Sequence, residues 1–155
     1  MAFELQDVLT PTSIGRIDHF LDDLDGSRAL QFNLEVMDQF GDAMKMRYGN
    51  EVPHLTAQQI TQLQAFMSSR RAALPADLGF PVGHQVGRCT WRFRDSDGTT
   101  PSRSLHARVI ELDAGGQFVQ RHQFNDQPNL SQAQIQVALV FLDDQRAKAV
   151  VQILP

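Results

Sequence analysis

A single cysteine, Cys89, stands among 155 residues. One thiol cannot close an intramolecular disulfide or build a multi-cysteine zinc site, which points to a reducing compartment. Long apolar runs are missing too. The longest, Val137 to Leu142, is six residues, far short of the roughly 20 that span a bilayer, so no membrane role is expected. The N-terminus carries Glu4 and Asp7 where a secretory signal has basic and apolar regions, and a cytoplasmic protein is the expectation. Lysine is scarce: of 14 basic residues only Lys45 and Lys148 are lysines. Arginine dominance suits planar, bidentate recognition of anions, and it equally suits a bacterial-like, arginine-biased composition. Catalytic signatures are absent as well. There is no G-x-S-x-G elbow, P-loop, dinucleotide G-x-G-x-x-G or H-E-x-x-H. Asp23-Leu-Asp-Gly and Asp95-Ser-Asp-Gly lack the ligand spacing of a calcium loop. No cofactor and no metal are therefore expected, and the balance is against an enzyme.

What is present is ordinary globular material, with 42% hydrophobic, 21% charged and 8% aromatic residues. That suffices at this length to bury one core without staples. The expectation is one α+β domain over 1–155, helical over about 10–75 and stranded over about 84–155. The net charge of −4 argues against bulk binding to nucleic acid. Its distribution is uneven: residues 1–78 hold 11 acids and 6 bases, residues 79–155 hold 7 and 8.

Three helices are expected first. Over Pro11–Leu24, Ile14, Ile17, Phe20, Leu21 and Leu24 follow the i, i+3, i+4 rule, with Thr10 and Gly26 placed as caps. Residues 29–36 fit two patterns, because Leu30, Phe32, Leu34 and Val36 alternate as a strand while Leu30, Leu34 and Met37 share a helical face. Helix is preferred there and over Met37–Tyr48. The third helix opens on the capping box Thr56-x-x-Gln59, carries Ile60, Leu63, Phe66 and Met67 on one face, and closes at Pro75.

After Pro75 the pattern changes to strands. Cys89, Trp91 and Phe93 alternate with Arg88, Thr90, Arg92 and Arg94, giving one apolar and one basic face. Leu105–Leu112 and Phe118–Phe124 read as a hairpin, and Ile135–Leu142 with Ala149–Leu154 as a second, although a Ser131-x-x-Gln134 box also opens a helix over 132–142. A four- or five-stranded antiparallel sheet under the helices follows, and no internal repeat stands out. Helices before a curved antiparallel sheet resemble the nuclear-transport-factor-2-like architecture in element order, which implies a cone with a pocket. Val150, Val151, Ile153 and Leu154 would form an adhesive edge strand if left uncovered, making a homodimer one candidate assembly.

Two functional readings follow. The first is a non-enzymatic interaction protein, a small acidic adaptor, chaperone-like or inhibitor-like domain. It would dock a protein partner through a sheet face bearing Arg88, Arg92, Arg94, Arg103, Arg108 and Arg121. Trp91 and Phe93 fall on the other face, so bases would have no stacking platform and nucleic acid is disfavoured. The second is a small-molecule pocket. In the simplest hairpin register Arg108 faces His122, placing His106, Arg108, Gln120 and His122 together, with His106 or His122 as general base. A one-residue slip would scatter that set to opposite faces.

Overall fold

The computed structural model describes residues 12–24, 27–96 and 102–154. Six strands form one antiparallel sheet: β1 (Ser13–Leu24), β2 (Ser27–Met37), β3 (Ala43–Asn50), β4 (Gln85–Ser96), β5 (Ser102–Leu112) and β6 (Phe118–Asn125). Their order is β3-β2-β1-β4-β5-β6. Two helices, α1 (Ala57–Asp77) and α2 (Gln132–Ile153), cover one face and bury Leu21, Trp91, Phe93, Leu105, Ala107 and Val109 beneath them. The mixed helix and antiparallel-sheet class is as expected. The three N-terminal helices are not: one helix follows three strands in each half. The resemblance in element order to the nuclear-transport-factor-2-like architecture falls with them.

The first expected helix is strand β1. Its pairing with β2 shifts between Ile14 and Ile17, so both point inward although three residues apart. Beyond that bulge Ile17, His19, Leu21 and Asp23 alternate inward and all are buried. Because His19 and Asp23 are polar, the apolar residues that remain visible are spaced three and four apart, which imitates a helix. The proposed caps Thr10 and Gly26 lie outside the described residues, as do Asp97 and Gly98 of the Asp95-Ser-Asp-Gly string. Leu30, Phe32, Leu34 and Val36 take the strand alternative as β2, and Met37–Tyr48 supplies a turn and β3.

At the C-terminus the capping box wins. Ser131 accepts from Gln134 N, α2 runs to Ile153, and it absorbs both the expected second hairpin and the expected edge strand. In α1 the box at Thr56 forms as expected, but Pro75 sits inside the last turn and the helix continues to Asp77.

The chain repeats itself, contrary to the first reading. Adding 75 to each residue number carries Ser27–Met37 onto Ser102–Leu112, Ala43–Asn50 onto Phe118–Asn125, and the short 3-10 turn Val52–His54 onto Gln127–Asn129. It also carries the buried positions of α1, Leu63, Phe66, Met67, Arg70 and Leu74, onto those of α2, Ala138, Phe141, Leu142, Gln145 and Ala149. For β1 and β4 the offset is 72, which matches their bulges and the residues Gly15, Arg16 and Asp23 with Gly87, Arg88 and Asp95. Local detail repeats too. Asp38 Oδ1 accepts from Phe40 N and Asp42 N, and Asp113 Oδ1 accepts from Gly115 N and Gln117 N. Each of these turns ends on a glycine with positive φ, Gly41 at 84° and Gly116 at 82°, a conformation that L side chains resist.

The two halves are tied crosswise. Helix α1 packs on β4 of the second half and α2 on β1 of the first. Arg71 on α1 reaches Asp23 at 3.4 Å and the carbonyl of Val86 at 2.6 Å. Its twin, Arg146 on α2, reaches Asp95 at 3.0 Å and the carbonyl of Ile14 at 2.8 Å. Each guanidinium thus satisfies one carboxylate of its own half and one bulge carbonyl of the other. Aromatic packing also repeats: Phe66 lies edge-on to Trp91 with centroids 5.8 Å apart, and Phe141 lies edge-on to His19 at 5.0 Å.

Candidate functional site

The sheet face away from the helices is uncovered, and its period-2 pattern makes it basic. Across β1, β4, β5 and β6 the register sets Phe20 beside Arg92 and His106, and Asp22 beside Thr90, Arg108 and Gln123. All of these but Asp22 border a cleft of about 540 Å³ together with Arg94 and Asn125. Asp18 is the anchor. Only 5% exposed, it accepts from Arg92 Nη2 at 2.9 Å and Arg94 Nε at 3.1 Å, with Arg16 Nε 3.8 Å away. Arg88 grips Asp22 with two bonds, at 3.0 and 2.6 Å, and the guanidinium of Arg92 lies 5.6 Å from the centre of the Phe20 ring.

One carboxylate under two guanidiniums fixes their position without cancelling their charge. Arg108 and Arg121, both exposed, have no ion pair among the described residues. On this face Arg16, Arg88, Arg92, Arg94, Arg108 and Arg121 stand against Asp18, Asp22 and Glu35, so positive charge is in surplus among the described residues. Buried Arg92 Nε has no hydrogen-bond partner among the described residues, a donor of a kind that normally finds an acceptor.

Five of the six arginines expected as a patch therefore share this face. Arg103 does not. It shares the inward parity of Leu105 and Ala107, donates to Asp95 at 3.1 Å, and also binds Asp143 on α2.

The expected histidine cluster is not assembled. A bulge between Glu111 and Leu112 shifts the hairpin by one residue, so His122 faces Val109 rather than Arg108. His122 then points toward the helix side and His106 to the open face, where its Nε2 contacts Ser104 Oγ at 3.1 Å. Sequence reading missed what His122 joins instead. Glu111, 3% exposed, holds His122 Nε2 at 2.9 Å on one oxygen and His84 Nδ1 at 2.5 Å on the other, while the Phe80 ring lies 5.4 Å from that of His122. Only the bulged register brings these groups together, so spacing alone could not signal them. Among the described residues no three or more His, Cys, Asp or Glu side chains converge as a metal site requires.

The hydrogen bonds from His122 and then His84 hold the Glu111 carboxyl below its usual 4.5, against the opposing effect of burial. A depressed carboxyl stabilises the fold at pH values above its ordinary range and loses that contribution as pH falls through the lowered value. Glu111→Gln is therefore expected to unfold more readily than the parent at neutral pH, with the gap narrowing as pH falls below the ordinary 4.5 and through the lowered value. Thermal unfolding midpoints at stepped pH check this; a gap unchanged at acid pH would refute the role given to Glu111.

Cys89 is buried beside Trp91 and Phe93, and burial pushes its thiol up to about 12. Such a thiol carries almost no thiolate at neutral pH, so its environment is that of a packing residue rather than a nucleophile. No described helix is long and apolar enough to cross a membrane. No known family, curated protein or solved structure matches this chain.

Proposed function

We propose that this chain is an interaction protein whose open sheet face binds an acidic segment of a protein partner. The observation that carries the reading is Arg108, which is exposed and without an ion pair among the described residues, beside the guanidiniums of Arg92 and Arg94 that Asp18 holds in place. Prepositioned guanidiniums offer paired N–H donors at the spacing of a carboxylate, with less side-chain ordering on binding than free arginines require. The aromatic residues of β4, Trp91 and Phe93, are buried on the other face and give bases no stacking surface. That favours a protein over a nucleic acid.

Arg108→Glu is the cleanest test, since its exposed side chain has no hydrogen bond or ion pair among the described residues. With an oligoglutamate peptide as probe, fluorescence anisotropy should show binding that weakens with salt and falls at least tenfold in the variant, a loss of about 1.4 kcal/mol. Equal affinity in parent and variant would remove the open face as the binding surface. Tighter binding of single-stranded DNA than of the peptide would replace the proposed class of partner.

A further inference from the structure

Between α2 and strands β1 to β3 lies a cleft of about 320 Å³, bordered by His19, Phe32, Leu34, Glu51, Gln145 and Gln152 among others. Its twin in the other half is filled. There Asp126, 0% exposed, accepts from Arg70 Nε and Nη2, both at 2.7 Å, and Arg70 Nη2 also reaches Asp77 at 3.1 Å. Under the internal offsets Glu51 stands where Asp126 does, Gln145 where Arg70 does, Gln152 where Asp77 does, His19 where Trp91 does and Ala149 where Leu74 does. The last two exchanges, with Arg70 to Gln145, remove volume, while Phe32 in place of Ala107 returns some of it. The first half thus keeps the buried carboxylate and lacks the guanidinium.

Three buried polar atoms of the cleft, on His19 and Glu51, are unsatisfied among the described residues. Glu51, 6% exposed, and His19, 1% exposed, bring Oε2 and Nδ1 to 2.8 Å, yet neither these atoms nor His19 Nε2 makes an aligned hydrogen bond. Lys148, the cation bordering the cleft, is engaged elsewhere: by Asp144 at 3.0 Å, the His54 carbonyl at 2.8 Å and Gln59 at 3.4 Å. Among the described residues Glu51 Oε2 thus has only an unaligned imidazole nitrogen beside it, an unfavourable setting for a buried carboxylate oxygen that a cation with paired donors relieves.

We infer that this cleft is a binding site for an alkylguanidinium group. The head group takes the place relative to Glu51 that Arg70 takes relative to Asp126, and the short apolar tail lies against Phe32 and Leu34. The group can arrive as a free small molecule or as the arginine side chain of a peptide, and the chemistry at Glu51 is the same. The cleft lies on the helix side of the sheet and shares no residue with the arginine face, so it stands or falls separately from the function proposed above.

The test is an NMR titration of the full chain with n-butylguanidine, with n-butylurea as its neutral isostere. Saturable shifts are expected at residues 19, 51, 145 and 149, at least tenfold stronger in affinity than for butylurea, and Glu51→Gln should weaken the binding at least tenfold. Gln145→Arg rebuilds the twin arrangement within the chain. It should raise the unfolding temperature and abolish butylguanidine binding, while Arg108→Glu should leave that binding unchanged. A capped Gly-Arg-Gly peptide binding as well as butylguanidine would identify a peptide arginine as the occupant; much weaker binding would identify a free ligand. Equal affinity for butylguanidine and butylurea, or undiminished binding to Gln145→Arg, would overturn the inference.

Discussion

Arg70→Met should cost about 3–5 kcal/mol of stability, the range for breaking a buried ion pair from one side. The size follows from what the change leaves behind. Asp126 is fully buried and takes both of its strong bonds from Arg70, so methionine leaves a carboxylate with neither water nor a counter-charge. Burial works against the charge on Arg70, but hydrogen bonds and attraction from Asp126 and Asp77 outweigh it, and its pKa lies above the ordinary guanidinium value. The charge is therefore retained in the folded state. Arg70→Met combined with Asp126→Leu should recover most of the loss, because two apolar groups of suitable volume leave nothing unpaired. Urea unfolding of the single and double variants reads both numbers; a single variant within 1 kcal/mol of the parent would show that the pair is not desolvated as described.

The second large effect separates the two halves. Trp91→Ala should cost about 3–5 kcal/mol, the usual range for truncating a large buried aromatic, because Trp91 is fully buried between Phe66, Phe93 and their neighbours. His19→Ala, at the twin position, should cost only about 1 kcal/mol. The imidazole is smaller, borders an existing cleft and makes no aligned hydrogen bond among the described residues. Equal costs at the two positions in urea unfolding would mean that the halves are packed alike and that the cleft is not the asymmetry it is taken for.

The parts of this fold legible in the sequence are those with a chemical signal of their own. Capping boxes at Thr56 and Ser131 mark both helix starts, and the alternation from Cys89 to Arg94 marks β4 and its two faces. Misreadings arise where a polar residue occupies an inward position. His19 and Asp23 hide the period of β1, and the bulge after Ile14 supplies a helix-like interval in its place. Within α2, the apolar run from Val137 to Leu142 outweighed a correct cap, because a short run of that kind suits a buried strand equally well.

The arginine face was half legible. Side-chain alternation gave Arg88, Arg92 and Arg94, but the parity of Arg103 depends on strand pairing that no local pattern announces. The repeat did leave a trace: Asn50, Pro53, Leu55, Gln59 and Ile60 recur as Asn125, Pro128, Leu130, Gln134 and Ile135. The matches are scattered, since the halves conserve turn and cap chemistry while their core residues diverge.

The crosswise helices also bear on how the chain is made. Ile14, Ile17, Leu34 and Val36 form one apolar cluster that is completed by Ala149, Ile153 and Leu154. During synthesis β1 to β3 leave the ribosome with that surface bare, and the helix that shields it, Gln132–Ile153, is translated about 80 to 100 residues later. At roughly 5–20 residues per second the interval is on the order of ten seconds, much longer than strand hairpins take to form. Throughout that interval the nascent sheet presents a sticky surface to other unfinished copies. Soluble yield in a cell should then track translation speed and access to holding chaperones more closely than it tracks the stability of the finished protein.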